Sequence, residues 1–412
     1  MTSKIGWHLL RHFRKIWVRV TLFAGLAVLS VVIAQVMAPI IPTSWETAIG
    51  GGSIDSVLNI LASSMLAVTT FSLGIAVSAF AAAANSATPR ATALLQEDPT
   101  TQNVLATFLG AFLFSLLGII AIQAGYYNEN GRVVLFLTTG FVVIAVVIAL
   151  LRWISHLMAF GRMGDTLDRV EAAAKAALDA RLASPYLGGR PILDGLPASC
   201  LPVLSDQTGY VQHVDMGKLQ DCAGDLQTKI WLSALPGSFV HQAAPLLQVE
   251  RHLDADEART LRNAFSINVE RSFDQDPRFG LIVISEIASR ALSPAVNDPG
   301  TAISVLGRLV RIFSNWKDEP ELDLAFDAVF VAGLDPADMI EDAFRPILRD
   351  GAGILEVQIR AQKALAALAA TSPTALAAPA KAMATDALTR AKGTLGPGDY
   401  DLLCRVHAEA FT

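Results

Sequence analysis

Residues 54–84 read IDSVLNILASSMLAVTTFSLGIAVSAFAAAA, and the fold turns on this stretch. Apart from Asp55 at its mouth it carries no charge. At about 1.5 Å rise per residue, a helix of this length exceeds the ~30 Å hydrocarbon core of a bilayer and overhangs it. On a 3.6-residue period Asn59, Ser63, Thr70, Gly74, Ser78 and Asn85 fall on one side, within about 100° of one another. Such a stripe of small and polar residues either packs a neighbouring membrane helix or lines water. The two are compatible in an oligomer built around an axis.

Working outward, three more apolar segments flank this one, at about 20–41, 104–124 and 133–151. Lys4, Arg11, Arg14, Lys15 and Arg19 precede the first, and its length is too great for the apolar region of a signal peptide. The loop 42–53 has Glu46 and neither Lys nor Arg, whereas the 85–103 connector carries Arg90, and Arg152, His156 and Arg162 follow the last segment. By the positive-inside rule this predicts four spans with both termini cytoplasmic. The predicted spans contain no ionisable side chain near the bilayer centre, which disfavours a proton-coupled pump and leaves a passive pathway open.

Over 412 residues the chain is 52% hydrophobic and 17% charged, which predicts a membrane half joined to a more polar half. A net charge of -6 argues against nucleic acid as a partner. Cys200, Cys222 and Cys404 show no metal-site spacing, and neither metal nor cofactor is expected. The organisation expected is a membrane domain over 1–160, an amphipathic helix and linker over 161–200, a small β-barrel or sandwich over 201–250, and an α-helical cytoplasmic domain over 251–412. The strands of the β-module are LPVLS, YVQHVD, TKIWLSAL, PGSFV and PLLQV, bounded by Gly209 and Gly237. The module is laid out like a biotinyl or lipoyl carrier, yet no modifiable lysine sits at a hairpin tip.

Further on, Asp276-Pro277 and Asp298-Pro299 each have the form of an N-cap followed by proline at the first helical position. Between the two helices they start lies SRALSPAVNDPGTA, residues 289–302. This string, with ERSFDQDPRFG (270–280), TGYVQHVD (208–215) and TPRATALLQEDPTTQNVLATFLGAF (88–112), resembles the bacterial predicted integral membrane proteins grouped as domain of unknown function 2254. The resemblance covers nearly the whole chain and implies an inner-membrane protein with a cytoplasmic tail, without a reaction or substrate.

Two functional expectations result. In the first, a homo-oligomeric ion channel in membrane lipid is lined by Asn59, Ser63, Thr70, Gly74 and Ser78 and regulated by its cytoplasmic part. In the second, a membrane-anchored scaffold or sensor binds a ligand or protein at the turn bearing Arg290, Ser293, Pro294, Asn297, Asp298 and Thr301. No catalytic constellation or phosphate loop is visible, so an enzyme is not expected.

Overall fold

A computed structural model describes residues 16–37, 51–127, 129–193, 195–318 and 324–412 of the chain. The described residues up to Thr166 form one compact unit, and those from Leu167 to Thr412 form another.

The first unit is helical: α1 (Ile16–Met37), α2 (Gly51–Ser86), α3 (Pro89–Gln96), α4 (Pro99–Gln123) and α5 (Glu129–Leu157). Helix α4 is the hub, packing against α1, α2 and α5. Half of its most apolar stretch is buried, against 22% for α2 and 33% for α5. Ile54, Leu58, Phe108, Phe114 and Leu135 form the centre of the packing. At Gly118 on α4 an added Cβ would lie 3.3 Å from Leu58 Cδ1, so a small residue lets α2 and α4 approach. Outside this core Leu66, Phe71, Phe141, Ile144 and Leu151 are exposed, an apolar surface suited to lipid and not to water.

Three helices among the described residues are long and apolar enough to cross a membrane: Ile54–Ser86, Pro99–Gln123 and Gly131–Leu157. Three of the four expected spans are therefore met among the described residues. The first expected span, 20–41, falls on α1 and on residues 38–41, which lie outside the described set. Helix α1 starts earlier than expected and takes Arg19 into its first turn. The 85–103 connector is itself partly helical. Thr88 caps α3 through Ala91 N (3.2 Å) and Asp98 caps α4 through Thr101 N (2.6 Å), each with proline at the next position. After α5 the chain breaks at Gly161, whose φ of +77° glycine adopts readily.

The second unit mixes helices with two sheets. It runs α6 (Met163–Ala183), β1 (Arg190–Pro191), β2 (Leu201–Leu204), β3 (Gly209–Val214), α7 (Met216–Asp225), β4 (Ile230–Leu232), β5 (Phe239–Val240) and β6 (Pro245–Val249). Then follow α8 (Ala255–Arg262), β7 (Phe265–Asn268), α9 (Pro277–Ala291), α10 (Pro299–Phe313), β8 (Val329–Val331), α11 (Pro336–Asp350), α12 (Leu355–Thr371), α13 (Ala377–Ala391) and α14 (Pro397–Ala410). One sheet has the order β1-β8-β4-β6-β2 and the other β5-β3-β7. The expected strands exist, but no barrel closes. The reason is recruitment from outside 201–250: β1 and β4 pair in parallel with β8, and β3 pairs with β7 rather than with β2. Ile230, Leu247, Val329, Val214 and Leu219 share one core beneath the strands and α7.

Helices α9 to α13 stack on one another, and α14 packs on α12. Helix α6 is fastened to α10 by a charged cluster: Arg308 donates to Asp168 and Glu171 (both 2.6 Å), and Arg311 to Glu171 (2.6 and 2.8 Å). Burial alone would raise the Glu171 pKa, but hydrogen bonds and charge from Arg311 and Arg308 bring it below its ordinary value of 4.5. A carboxylate depressed in the folded state adds stability above its unfolded pKa and withdraws it as pH falls through the folded one. Glu171→Gln should therefore lower the melting temperature at pH 7 and flatten its decline below pH ~4.5. Melting curves of the detergent-solubilised protein across pH 3–7 check this, and parallel acid limbs for both proteins would contradict it.

Candidate functional site

On α2 the buried residues Ile54, Leu58, Leu61, Met65, Ser72, Ala76 and Ala83 occupy one face. Asn59, Ser63, Thr70, Gly74 and Ser78 are all exposed. At about 100° per residue the stripe points roughly 180° away from the buried face. Leu66 and Val77 share its sector, so the outward face is mixed rather than continuously polar. Several donors on it bond back to the helix: Asn59 Nδ2 to the Asp55 carbonyl (2.8 Å), Ser63 Oγ to that of Asn59 (2.9 Å) and Thr70 Oγ1 to that of Leu66 (2.9 Å). An added Cβ at Gly74 meets nothing within 4 Å.

The α9–α10 turn is exposed and spends its polar atoms on itself. Ser293 Oγ donates to the Arg290 carbonyl (2.7 Å), and Asp298 N donates to that of Ala291 (2.8 Å). The Asp298 carboxylate accepts from Thr301 N (3.1 Å) and Thr301 Oγ1 (2.6 Å). Those bonds, the Thr301 hydroxyl foremost, hold the Asp298 carboxyl below its ordinary range. Asn297 takes a φ of +50°, a left-handed conformation that asparagine tolerates. Arg290 and Pro294 are exposed beside it. The turn brings the expected residues together, as a helix connector whose groups satisfy one another.

A cluster that no sequence pattern announces lies in the first unit. His156 Nε2 sits 3.0 Å from Asp98 Oδ2 and 3.3 Å from Thr101 Oγ1, while Thr101 Oγ1 donates to the same Asp98 oxygen (2.7 Å). A catalytic relay needs the acid on one imidazole nitrogen and the nucleophile on the other. Here both meet Nε2, so the arrangement ties the end of α5 to the start of α4. Asp98 and His156 are far apart in sequence, and only the proximity of those helix ends reveals the pair.

The second unit holds a cavity of about 400 Å³ lined by α6, the β4–β5 loop, the segment before α9, and the start of α11. Arg271 closes a fork on the buried Asp276, with Nε–Oδ2 at 2.7 Å and Nη2–Oδ1 at 2.9 Å. Asp276 also caps α9 through Phe279 N (3.2 Å). Burial raises the Asp276 pKa, against the lowering effect of Arg271. Gly237, at φ +95°, lies so close that a Cβ there would fall 2.5 Å from Asp276 Oδ2. Arg278 is paired with Asp338 (2.5 Å) and Asp342 (2.6 Å). Arg181 of α6 also lines the cavity and is 4% exposed.

These features define a class: a membrane protein of several apolar helices that carries a mixed α/β unit. The chain belongs to the family described as "Predicted membrane protein", domain of unknown function 2254, whose model matches residues 14–367. It is similar to uncharacterized proteins of Mycobacterium bovis and Mycobacterium tuberculosis, with 28% identity over 276 residues, 64% of this chain and 52% of each relative. The chain thus spans about half the length of the curated relatives it matches. No solved structure matches it.

The turn's geometry makes a stability prediction. Asp298→Ala removes a cap and should cost about 0.5–2 kcal/mol, whereas Asn297→Gly relieves a positive φ and should hold or raise the melting temperature. Thermal unfolding of the two variants checks the pair. Equal melting temperatures in both variants and the parent would contradict this account of the turn.

Proposed function

We propose that the protein is a homo-oligomeric ion-conducting channel of the bacterial inner membrane, with the second unit regulating conduction. Ions would pass along Asn59, Ser63, Thr70, Gly74 and Ser78 of several copies of α2, and no reaction is catalysed. The observation that carries this reading is the direction of the stripe, aimed away from the core of its own unit and towards whatever covers α2 in the bilayer. From 56 to 86 that helix has no ionisable side chain, which suits passive conduction over charge-coupled pumping.

A second reading, a membrane-anchored scaffold or sensor without transport, draws support from the back-bonded hydroxyls. Ser63 and Thr70 already have acceptors for their protons, so neither requires water. Liposomes holding the purified protein separate the two. Ser63→Leu and Thr70→Leu should each reduce ion flux by roughly tenfold or more, the effect of about 1.4 kcal/mol of added barrier. Phe141→Leu, on an exposed apolar face, should leave flux unchanged. A silent wild-type protein, or flux indifferent to both stripe variants, would overturn the channel reading in favour of the sensor.

A further inference from the structure

Among the charged groups around the cavity in the second unit, one lacks a counter-ion in hydrogen-bonding range. Arg278 is held by Asp338 and Asp342, and Arg271 is held by Asp276. Both Asp276 oxygens are occupied by Arg271 and by Phe279 N, and the exposed Asp335 caps α11 through Ala337 N (2.8 Å). Arg181 remains. Its Nη2 lies at 3.5 Å from the Ala332 carbonyl, a weak contact, and its Nε has no partner.

A guanidinium carries five donors and stays charged in water, so burying it without an acceptor is unfavourable. Burial pulls its pKa well below the ordinary guanidinium value, to about 10, even with the attraction of Asp276. An oxyanion in the cavity supplies both the missing acceptors and the missing charge. The N-termini of α9 and α11, each 15 residues long, border the same space and add the positive ends of their dipoles. Leu235, Leu334 and Met339 give the cavity an apolar wall, and its volume lies within the ~300–1,000 Å³ range of small-molecule sites.

We propose that this cavity binds a small soluble organic oxyanion, a phosphate or carboxylate compound. Its charged group sits on Arg181 and its apolar body lies against Leu235, Leu334 and Met339. The site stands whether or not α2 conducts, and it is distinct from the exposed α9–α10 turn.

Isothermal titration of the full-length protein in detergent with inorganic phosphate, hexyl phosphate and hexanoate tests it. The expected result is saturable uptake of one molecule per chain, with hexyl phosphate or hexanoate bound more tightly than inorganic phosphate. Arg181→Met should weaken binding about tenfold or more, Arg181→Lys less, and Arg290→Met not at all. The Met variant should keep its fold, because an apolar chain of similar length replaces an unpaired buried cation. Should it unfold, Leu334→Trp, which fills the cavity from its half-buried rim, carries the test and must also abolish uptake. The proposal is overturned if the folded wild-type protein takes up none of the three anions, or if uptake survives both Arg181→Met and Leu334→Trp. Uptake seen only with phosphatidylglycerol in nanodiscs would also overturn it, replacing the soluble ligand by a lipid headgroup.

Discussion

A peptide group in hydrocarbon has no water to bond, and every spanning segment must satisfy its backbone within itself. The first unit obeys this constraint by long helices and by economical use of the side chains that compete with them. Ser63, Thr70, Ser115 and Thr139 all return their hydroxyl protons to the carbonyl four residues earlier. Where the helices break, between Ser86 and Pro99, the free N–H groups of the next helix are met by Thr88 and Asp98. Proline after each cap removes a donor that would otherwise be orphaned. Asp276, Asp298 and Asp335 repeat the device in the second unit, so one local rule sets helix starts in both units.

The constraint also frames the functional question. A helix whose polar side chains are already bonded can face lipid, another helix or water at little difference in hydrogen-bond energy. Direction, rather than polarity alone, is then the informative property of the α2 stripe. In the second unit the reverse holds: charges are paired with care around the cavity, and Arg181 stands out because its neighbours leave it no carboxylate.

Much of the helical framework is legible in the order of the residues. Length and apolarity place α2, α4 and α5, and Asp-Pro steps place the starts of α9 and α10. Helix α12 ends at Thr371 and α13 starts at Ala377, on either side of Pro373, which cannot continue a helix. The existence of strands is legible in 201–249, but their partners are not. Periodicity reports which face of a strand is buried, whereas pairing is decided by segments far along the chain, such as Val329–Val331 beside Ile230–Leu232. Two strands of two or three residues, β1 and β8, are too short to show a period at all. Within 251–412, expected to be α-helical, α8 stops at Arg262 and Phe265–Asn268 supplies an edge strand to β3. Arg181 is hidden for a similar reason: in an alanine-rich helix of alternating charges it reads as part of a solvated face, and only the packing of α6 buries it.

The central claim is that the outward stripe of α2 meets the same stripe on another copy. Disulfide cross-linking in native membranes tests it most directly, with single cysteines placed in a chain whose Cys200, Cys222 and Cys404 are replaced by serine. Cysteine at Thr70 or Gly74 should give covalent dimers on mild oxidation, while cysteine at buried Ala76 or at Phe141 on the apolar face should not. Monomer alone at Thr70 and Gly74, or cross-linking strongest at Phe141, would place the stripe against lipid and contradict the account.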